Sequence, residues 1–428
     1  MRRRLGSFGV RLAAILAGAL VVRIAYTIAG PGNAYSEGPL GDFFFFHTIA
    51  NLLADGQGFI APYTLEELGR VEPTAEHPPL WPLVLGAASE VGGNGLLSHR
   101  LVGVPFGVAT AGLLGLIGRR LGGDTAGLIV AAIAACHPLL IGADGSLMSE
   151  TMYGTFVAAA LLLALRLLER PTPRSAAVLG LTIGLAALTR GEALALLVLL
   201  VAPAAWLAGE GTRERLKLAA LTFAAAALVI SPWTIRNWTT FDRPVLISTN
   251  DSTVLTGANC DATYSGRDLG WWRVDCRTPI RERNEAKQAA IWREEGLEYA
   301  REHAGRLPVV IPVRVLRTWG VYQPRRMIRE AEGRDRTMET LGTVVYFLLL
   351  PLAAYGALLL RRRRAPLWVL MVPPAVVTIV TVLGYGYPRF RHSADLVIVV
   401  LAGLAIAHVA GRRRGGGAAA PTGPASGT

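Results

Sequence analysis

Long apolar runs alternate with short polar stretches along almost the whole chain. The runs approach the roughly 20 apolar residues that a helix needs to cross a bilayer. They lie at residues 12–29, 100–118, 126–141, 152–168, 176–188, 193–207, 218–233, 340–360, 367–383 and 394–409. This pattern predicts an all-α polytopic membrane protein with about ten transmembrane helices.

Two polar stretches are longer than simple turns. Residues 31–97 are predicted to form an external juxtamembrane loop, in which 80–91 is too short to span and is expected to be a juxtamembrane or re-entrant helix. Residues 236–336 are predicted to form a small external α-rich segment. Within it, 280–304 has the composition of a charged helix, and 307–322 that of an amphipathic helix on the outer leaflet.

These stretches divide the chain into four parts. We expect an N-terminal transmembrane module at 1–235 that carries the first external loop, and an external segment at 236–336. C-terminal transmembrane helices follow at 337–411. The last part, 412–428, is rich in Gly, Ala and Pro and is predicted to be a disordered cytoplasmic tail.

Arginine clusters between the apolar runs predict the orientation in the membrane. Short basic clusters favour the cytoplasmic side, and in this layout they all fall on one side: Arg2–Arg4, Arg119–Arg120, Arg361–Arg364 and Arg412–Arg414. The sequence therefore predicts a multi-pass plasma-membrane protein with both termini in the cytoplasm. The first loop and the 236–336 segment would then lie outside.

Composition supports a membrane protein and argues against a nucleic-acid partner. Hydrophobic residues make up 52% of the 428 positions and charged residues 17%, which is more apolar than a soluble domain. A net charge of +12 would suggest nucleic acid in a soluble chain. Here the basic residues stand in clusters between apolar runs, so the charge is explained by orientation.

Two of the three cysteines lie in the predicted external segment. Cys260 and Cys276 both lie within 236–336, where an oxidising compartment would favour a disulfide over two free thiols. Closing a loop of about 15 residues contributes about 3 kcal/mol to stability. Cys136 lies in an apolar run and is expected to be a small core residue. No cysteine and histidine spacing suggests zinc.

Ionisable residues recur where apolar runs meet the predicted outer face. Each of them alone could be an anchor that reaches from a helix end towards water. As a set from distant parts of the sequence, they indicate a water-accessible pocket beside lipid. Acids and bases in such a pocket suit a reaction between a hydrophilic acceptor and a lipid-borne phosphorylated donor. The set comprises Asp42, His77, Glu150, Arg190, Glu192, Arg389, Arg391 and His392.

The order of short motifs resembles that of a known group of enzymes. The motifs are Gly41-Asp42, His77-Pro78-Pro79-Leu80, Arg119-Arg120-Leu121-Gly122, Ser149-Glu150, Leu188-Thr189-Arg190-Gly191-Glu192, Pro232-Trp233-Thr234-Ile235-Arg236-Asn237 and Arg389-Phe390-Arg391. In this order they resemble the GT-C membrane glycosyltransferases of the protein O-mannosyltransferase and aminoarabinose transferase type. The resemblance implies a polyprenyl-phosphate sugar donor and transfer on the outer face. The implied acceptor is an envelope glycan, glycolipid or protein.

The resemblance implies a role for each candidate residue. Asp42 would take the proton of the acceptor hydroxyl, and Glu150 would help to bind the acceptor or hold a partner of Asp42. Arg190, Arg389 and Arg391 would bind the donor phosphate and stabilise its growing charge, with His77 as a weaker candidate. A single displacement would invert the configuration at the sugar carbon.

Other functions remain open at this stage. A lipid-linked-glycan flippase or transporter would carry charged or broken helices near the bilayer midplane and an internal repeat, and no convincing repeat is seen. A paired-carboxylate glycosidase would need a protonated acid for a poor leaving group, and a scaffold without catalysis would not need the clustered acids. No metal is demanded, although a divalent ion on Asp42, Glu150 and His392 is left open.

Overall fold

The prediction of an all-α protein is confirmed. The computed structural model describes residues 2–30, 41–280 and 282–416, with side chains at 7–30, 41–280 and 282–412. Its regular elements are helices, and strand-like pairing in these ranges is limited to an isolated bridge between Ile60 and Pro73. Residues 31–40 of the predicted first loop and 417–428 of the predicted tail lie outside the described residues, while the last helix runs on to Gly416.

Several helices are long and apolar enough to cross a membrane, which makes the chain a multi-pass membrane protein. Within the described ranges there are seven of them: Ser7–Ala29, Leu96–Cys136, Glu150–Glu169, Gly191–Ala208, Thr212–Phe241, Arg336–Arg362 and Pro388–Arg412. Two shorter apolar helices, Pro173–Ala187 and Leu367–Leu383, fall on further predicted runs. The order of the predicted runs is preserved, but a count of ten is not established.

The longest of these helices is a hairpin rather than a rod. Leu96–Cys136 is interrupted at Gly123, whose φ of 83° lies in the left-handed region that favours glycine. The two arms pack closely, since a Cβ on Gly118 would come within 2.7 Å of the Val130 side chain. The predicted runs 100–118 and 126–141 therefore fall on separate arms.

Glycines let other helices approach each other at backbone distance. A Cβ on Gly180 would lie 2.1 Å from the carbonyl oxygen of Thr222, which joins Pro173–Ala187 to Thr212–Phe241. A Cβ on Gly356 would lie 2.0 Å from the carbonyl oxygen of Leu401. Small residues at crossings are the usual way in which membrane helices gain packing contact. These crossings hold the helix ends that carry the site described below.

Short helices fill the predicted external stretches. In the first of these stretches they are Asp42–Ala54, Pro62–Leu68 and Leu80–Glu90, the last of which matches the predicted short helix. Between 236 and 336 they include Asn250–Ala258, Asp261–Tyr264, Glu285–Glu302, Leu307–Thr318 and Pro324–Arg329. The predicted charged and amphipathic helices are thus present, although both are shorter than expected.

The helix Leu307–Thr318 has a charged inner face and an apolar outer face. Arg314 and Arg317 are buried and donate to the carbonyl oxygens of Ala258 and Leu269, at 2.6 and 2.7 Å. Val309 and Leu316 are 44% and 40% exposed. The exposed side suits contact with a lipid surface, and its position on the outer leaflet stays a prediction.

The predicted disulfide between Cys260 and Cys276 is confirmed. It closes a loop that contains Trp271 and Trp272, whose rings pack against Tyr387 and Tyr385 respectively. The expectation for Cys136 was wrong, because this residue is exposed at the end of its helix rather than buried in the core. Ala134 and Ala135 beside it are buried instead.

Removal of the disulfide is expected to weaken the external segment. Cys260→Ser/Cys276→Ser should lower the free energy of unfolding of this segment by about 3 kcal/mol, because the unfolded loop regains its freedom. Thermal unfolding with and without reductant measures the effect. Cys136→Ser is the matched control and should leave the unfolding temperature unchanged. Equal stability of the double variant and the wild type would contradict a structural role.

Candidate active site

Asp42 begins the helix that follows the first span. Gly41 precedes it with φ at 101°, and a Cβ at that position would lie 2.6 Å from Oε1 of Glu332. Only glycine meets both requirements, the positive φ and the close contact. The backbone N–H of Asp42 donates to the same Glu332 oxygen at 2.7 Å. The carboxylate of Asp42 is thereby aimed away from the apolar helix body and is 23% exposed.

Arg389 is the centre towards which three carboxylates converge. Its Nη2 contacts Asp42, its Nε lies 2.7 Å from Oε1 of Glu150, and its Nη1 lies 3.0 Å from Oε2 of Glu332. The guanidinium is only 8% exposed. It sits on the short helical turn Pro388–Arg391 that leads into the last span. Residues far apart in sequence therefore meet at the ends of membrane helices.

A second guanidinium is linked to the first through Glu150. Nη1 of Arg190 lies 3.0 Å from the Glu150 oxygen that also faces Arg389, and its Nε lies 2.5 Å from Glu192. Arg190 occupies the turn after the helix Pro173–Ala187, and Glu150 begins the helix Glu150–Glu169. Oε2 of Glu150 is buried without a hydrogen-bond partner in the described part of the protein.

His77 lies beside Asp42 and packs against phenylalanines of the helix Asp42–Ala54. Its Nε2 lies 3.5 Å from Oδ1 of Asp42, and its ring packs on Phe45 and Phe46 at centroid distances of 4.6 and 5.0 Å. Burial lowers the pKa of His77, against the opposing effect of Asp42. A neutral imidazole in this place can orient the Asp42 carboxylate. Phe45 and Phe46 thus hold the imidazole that lies beside the acid.

Glu332 belongs to the cluster but was not predicted. It lies in the run Arg329-Glu330-Ala331-Glu332-Gly333, which has the composition of an ordinary solvated loop. Tyr387 fixes this loop: its hydroxyl accepts from the Glu332 N–H and donates to the carbonyl oxygen of Glu330, both at 2.7 Å. The sequence signal was a pair of glycines at close contacts: a Cβ on Gly41 would meet Glu332, and a Cβ on Gly333 would lie 2.6 Å from the Met148 side chain.

The structure brings Asp42, His77, Glu150, Arg190 and Arg389 together, but not Arg391. The guanidinium of Arg391 is 3% exposed, lies 2.7 Å from Asp395, and stacks over the ring of Tyr346 at 3.5 Å. These contacts stabilise the beginning of the last span, Pro388–Arg412. His392, the third residue of the metal set considered from the sequence, packs beside Gly154.

The two partly exposed acids of the cluster, Asp42 and Glu332, differ in acidity. Burial would raise the pKa of Asp42, but the charge and hydrogen bond of Arg389 together with His77 and Arg190 outweigh it and lower the pKa to about 2. Burial raises the pKa of Glu332 to about 7, and the negative charge of Asp42 adds to this shift. Asp42 is therefore ionised at all ordinary pH values. Glu332 can hold a proton near neutrality.

The raised pKa of Glu332 predicts a pH-dependent stability. Its ordinary pKa is 4.5 and its folded pKa about 7, so the folded protein holds the proton that the unfolded chain has lost. Stability should therefore fall as the pH rises from about 4.5 to about 7 and then level off. Glu332→Gln should remove this fall. Unfolding temperatures of both proteins across this range measure it, with Glu330→Gln as the control; parallel curves for wild type and Glu332→Gln would contradict the assignment.

The residues present do not fit a metal ion as they are arranged. No group of three His, Cys, Asp or Glu side chains in the described ranges could hold one. Asp42, Glu150 and Glu332 are spread around the guanidinium of Arg389, which occupies the space between them. The chemistry of the site is therefore derived from its own side chains.

The arrangement combines an anion site with a proton acceptor. Two guanidinium groups beside one another offer bidentate contacts to phosphate. The ionised Asp42 is adjacent and partly exposed, so it can receive a proton from a hydroxyl group. Such a pair can hold a phosphorylated leaving group while the incoming hydroxyl loses its proton.

One family model matches part of the chain. Residues 76–235 match the family described as dolichyl-phosphate-mannose-protein mannosyltransferase. The matched stretch is less than half of the chain, and it contains His77, Glu150 and Arg190 but neither Asp42 nor Arg389. None of the curated proteins is similar to the chain at a significant level.

Solved structures share the fold. The oligosaccharyltransferase of Archaeoglobus fulgidus, in complex with Zn and sulfate, has a TM-score of 0.56 at 16% identity over 94% of this chain and 49% of its own. Its apo form gives 0.57 at 16% identity, with 94% and 51% covered. ArnT from Cupriavidus metallidurans bound to undecaprenyl phosphate gives 0.45 at 17% identity, with 93% and 78% covered.

The family match and the oligosaccharyltransferase structures test the resemblance to GT-C membrane glycosyltransferases that the motifs predicted. The chain spans about half the length of the oligosaccharyltransferase, and at this identity the likeness establishes the fold. The resemblance to GT-C membrane glycosyltransferases is confirmed by the shared fold together with the family match.

Proposed function

We propose that this protein is an inverting glycosyltransferase that moves a sugar from a polyprenyl-phosphate donor to a cell-envelope acceptor. The acceptor would be a glycan, a glycolipid or a protein. The reaction would take place on the outer face of the plasma membrane, with both termini in the cytoplasm. Residues 1–235 and 337–411 would form the membrane module, and 236–336 the external segment.

One observation carries the proposal. Arg389 contacts Asp42 and shares Glu150 with Arg190, at the ends of helices that are apolar enough to cross a membrane. A hydrophilic acid and two phosphate-binding groups at such a place can meet both a lipid-borne donor and a water-borne acceptor. The matched family is described by a dolichyl-phosphate sugar donor, which supports the donor class.

Donor binding would change the partners of Arg389. The phosphate of the donor would contact the guanidinium groups of Arg389 and Arg190, where carboxylates lie at present. Exchange of Asp42 for phosphate on Arg389 would remove the charge that keeps the pKa of Asp42 at about 2. The carboxylate would then be a stronger base. Glu150 would keep the two guanidiniums side by side.

The transfer step would be a single displacement. Asp42 would take the proton of the acceptor hydroxyl, and the oxygen of that hydroxyl would form a bond to the anomeric carbon of the sugar. The bond between that carbon and the phosphate oxygen would break, and its electron pair would leave with the polyprenyl phosphate. Arg389 and Arg190 would stabilise the charge that grows on the phosphate. The configuration at the anomeric carbon would invert.

His77 would position Asp42 rather than react. Its neutral ring lies against Phe45 and Phe46 and within reach of the Asp42 carboxylate. No step of the proposed transfer reaction uses a metal ion. The structure of the oligosaccharyltransferase with Zn concerns that protein, and the carboxylates of this chain surround a guanidinium group.

A donor-turnover assay tests the function. Purified protein in nanodiscs is given polyprenyl-phosphate sugars with envelope glycan, glycolipid or peptide acceptors, and the release of polyprenyl phosphate is measured together with sugar transfer. We expect release in proportion to transfer. Movement of the donor between leaflets without any release of polyprenyl phosphate would contradict the proposal and favour a flippase.

A further inference from the structure

A surface pocket of about 530 Å³ lies on the external segment, apart from the Asp42 cluster. Four arginines line it together with one glutamine and one proline: Arg267, Gln323, Pro324, Arg325, Arg326 and Arg329. We call this the arginine pocket. Most of its lining belongs to the short helix Pro324–Arg329 and to Gln323 just before it. The remaining arginine reaches in from the disulfide-closed loop.

The arginine pocket carries more positive charge than its neighbours balance. Arg326 is buried and paired with Asp268 and with Glu330, the latter at 2.9 Å, so its charge is compensated. Arg267 is 76% exposed and lies 4.0 Å from Glu330, at the limit of an ion pair. Arg325 and Arg329 are exposed and form no ion pair with the described residues. Positive charges that neighbouring acids do not balance are suited to an anionic ligand.

Gln323 supplies a second, independent feature. Its Oε1 is buried and has no hydrogen-bond partner among the described residues. Its backbone has a φ of 49°, in the left-handed region that a glutamine rarely adopts. A buried polar group without a partner is unfavourable unless a ligand or water satisfies it. Gln323 also lines the arginine pocket, so this oxygen belongs to a residue that a ligand in the pocket would contact.

The arginine pocket is physically connected to the Asp42 cluster. The guanidinium of Arg326 lies over the ring of Trp271 at 4.9 Å, and that ring contacts Tyr387 at a centroid distance of 5.5 Å. The hydroxyl of Tyr387 in turn holds the loop of Glu330 and Glu332. Only two residues along the chain, Glu330 and Ala331, separate Arg329 of the pocket from Glu332 of the cluster. The loop that carries Glu332 therefore joins the arginine pocket to the Asp42 cluster.

We infer that the arginine pocket binds a negatively charged sugar unit of the acceptor. A phosphate or carboxylate group would contact Arg325, Arg329 and Arg267, and a hydroxyl of the same unit would donate to Gln323. The inference rests on the proposed function, because it assigns the ligand to the acceptor. It adds that the enzyme selects acidic envelope glycans or glycolipids over neutral ones.

Direct binding tests the pocket without any need for turnover. Glucose 6-phosphate and glucose are titrated into Asp42→Asn protein in nanodiscs of neutral lipid, with and without Arg325→Gln/Arg329→Gln. We expect the phosphorylated sugar to bind and glucose not to bind, and the double substitution to weaken binding about 10-fold or more. Arg243→Gln/Arg301→Gln, at exposed arginines outside the pocket, is the matched control and should bind as before. Equal affinity with and without the pocket arginines would overturn the inference.

Two further measurements separate the sources of the anion and the two proposals. Inorganic phosphate that binds as tightly as glucose 6-phosphate, or nanodiscs with phosphatidylglycerol that abolish sugar binding, would assign the pocket to free phosphate or to a lipid headgroup and overturn the inference. In the active protein, Arg325→Gln/Arg329→Gln should raise KM for an acidic acceptor about 10-fold and leave kcat and the KM for a neutral acceptor unchanged. Sugar binding by a protein that transfers no sugar would contradict only the proposed function, whereas transfer without this change in KM would contradict only the pocket.

Discussion

Arg389→Gln is expected to slow sugar transfer about 100-fold or more and to lower the stability of the protein. The substitution leaves the carboxylates of Asp42, Glu150 and Glu332 facing one another without the central positive charge. Removal of one partner from a buried ion pair costs about 3–5 kcal/mol. Loss of one preorganised donor to a developing negative charge lowers kcat about 100- to 1,000-fold. Unfolding curves and transfer rates of the purified variant measure the two effects.

Two further variants separate stability from catalysis. Arg389→Gln/Glu332→Gln removes a repelled carboxylate, so it should recover part of the stability but none of the activity. Arg391→Gln, two residues further on, also breaks a buried ion pair, with Asp395. It should lose stability while each folded molecule keeps its turnover rate. Normal turnover per folded molecule of Arg389→Gln would contradict the role of Arg389 in phosphate binding.

Asp42→Asn is expected to lower the rate of sugar transfer strongly, although it hardly changes the shape of the side chain. The amide keeps the size of the side chain but cannot take the proton of the acceptor hydroxyl. Loss of a general base lowers kcat about 100- to 10,000-fold. The helix Asp42–Ala54 should persist, because its buried residues Phe45, Phe46 and Ile49 are unchanged. Transfer rates at saturating donor and acceptor measure the loss.

Asp55→Asn is the matched control for this substitution. Asp55 is exposed at the other end of the same helix and lies outside the Asp42 cluster. Its replacement should leave both transfer and stability unchanged. Equal kcat for Asp42→Asn and wild type would remove Asp42 as the base, although the fold and the Arg389 ion pairs would stand.

The sequence was sufficient for the fold class and for much of the cluster. Apolar runs separated by arginines predict membrane helices because the bilayer imposes both length and polarity on them. Glu150 and Arg190 each lie at the boundary of such a run, and Asp42 follows the first run after a polar stretch, so the order of the runs predicts that the three face the same side. Cys260 and Cys276 could be paired because both fall in one external segment.

Other features of the fold and the site depend on local geometry, which the pattern of apolar and polar residues does not show. Hydropathy separates the runs 100–118 and 126–141, but it does not show that Gly123 turns the chain between them with helix on both sides. Arg391 follows Arg389 by two positions on a tight helical turn, which directs the two guanidiniums to different sides. Both arginines look equally suited to phosphate in the sequence, but one of them pairs with Asp395.

Glu332 shows how tertiary contacts can turn an ordinary loop residue into part of a site. Its position depends on the hydroxyl of Tyr387 and on the absence of a side chain at Gly41. Neither contact is local in sequence, and neither has a period that a pattern could reveal. The same holds for Gln323, whose unpaired oxygen becomes visible only once the arginine pocket is assembled.

The structure of the Asp42→Asn protein with a bound polyprenyl-phosphate sugar tests the central claim most directly. We expect the donor phosphate to lie about 3 Å from the guanidinium nitrogens of Arg389 and Arg190, with the anomeric carbon facing residue 42 across a space that fits a hydroxyl group. A donor phosphate bound elsewhere, with Arg389 still enclosed by Glu150 and Glu332, would contradict the account.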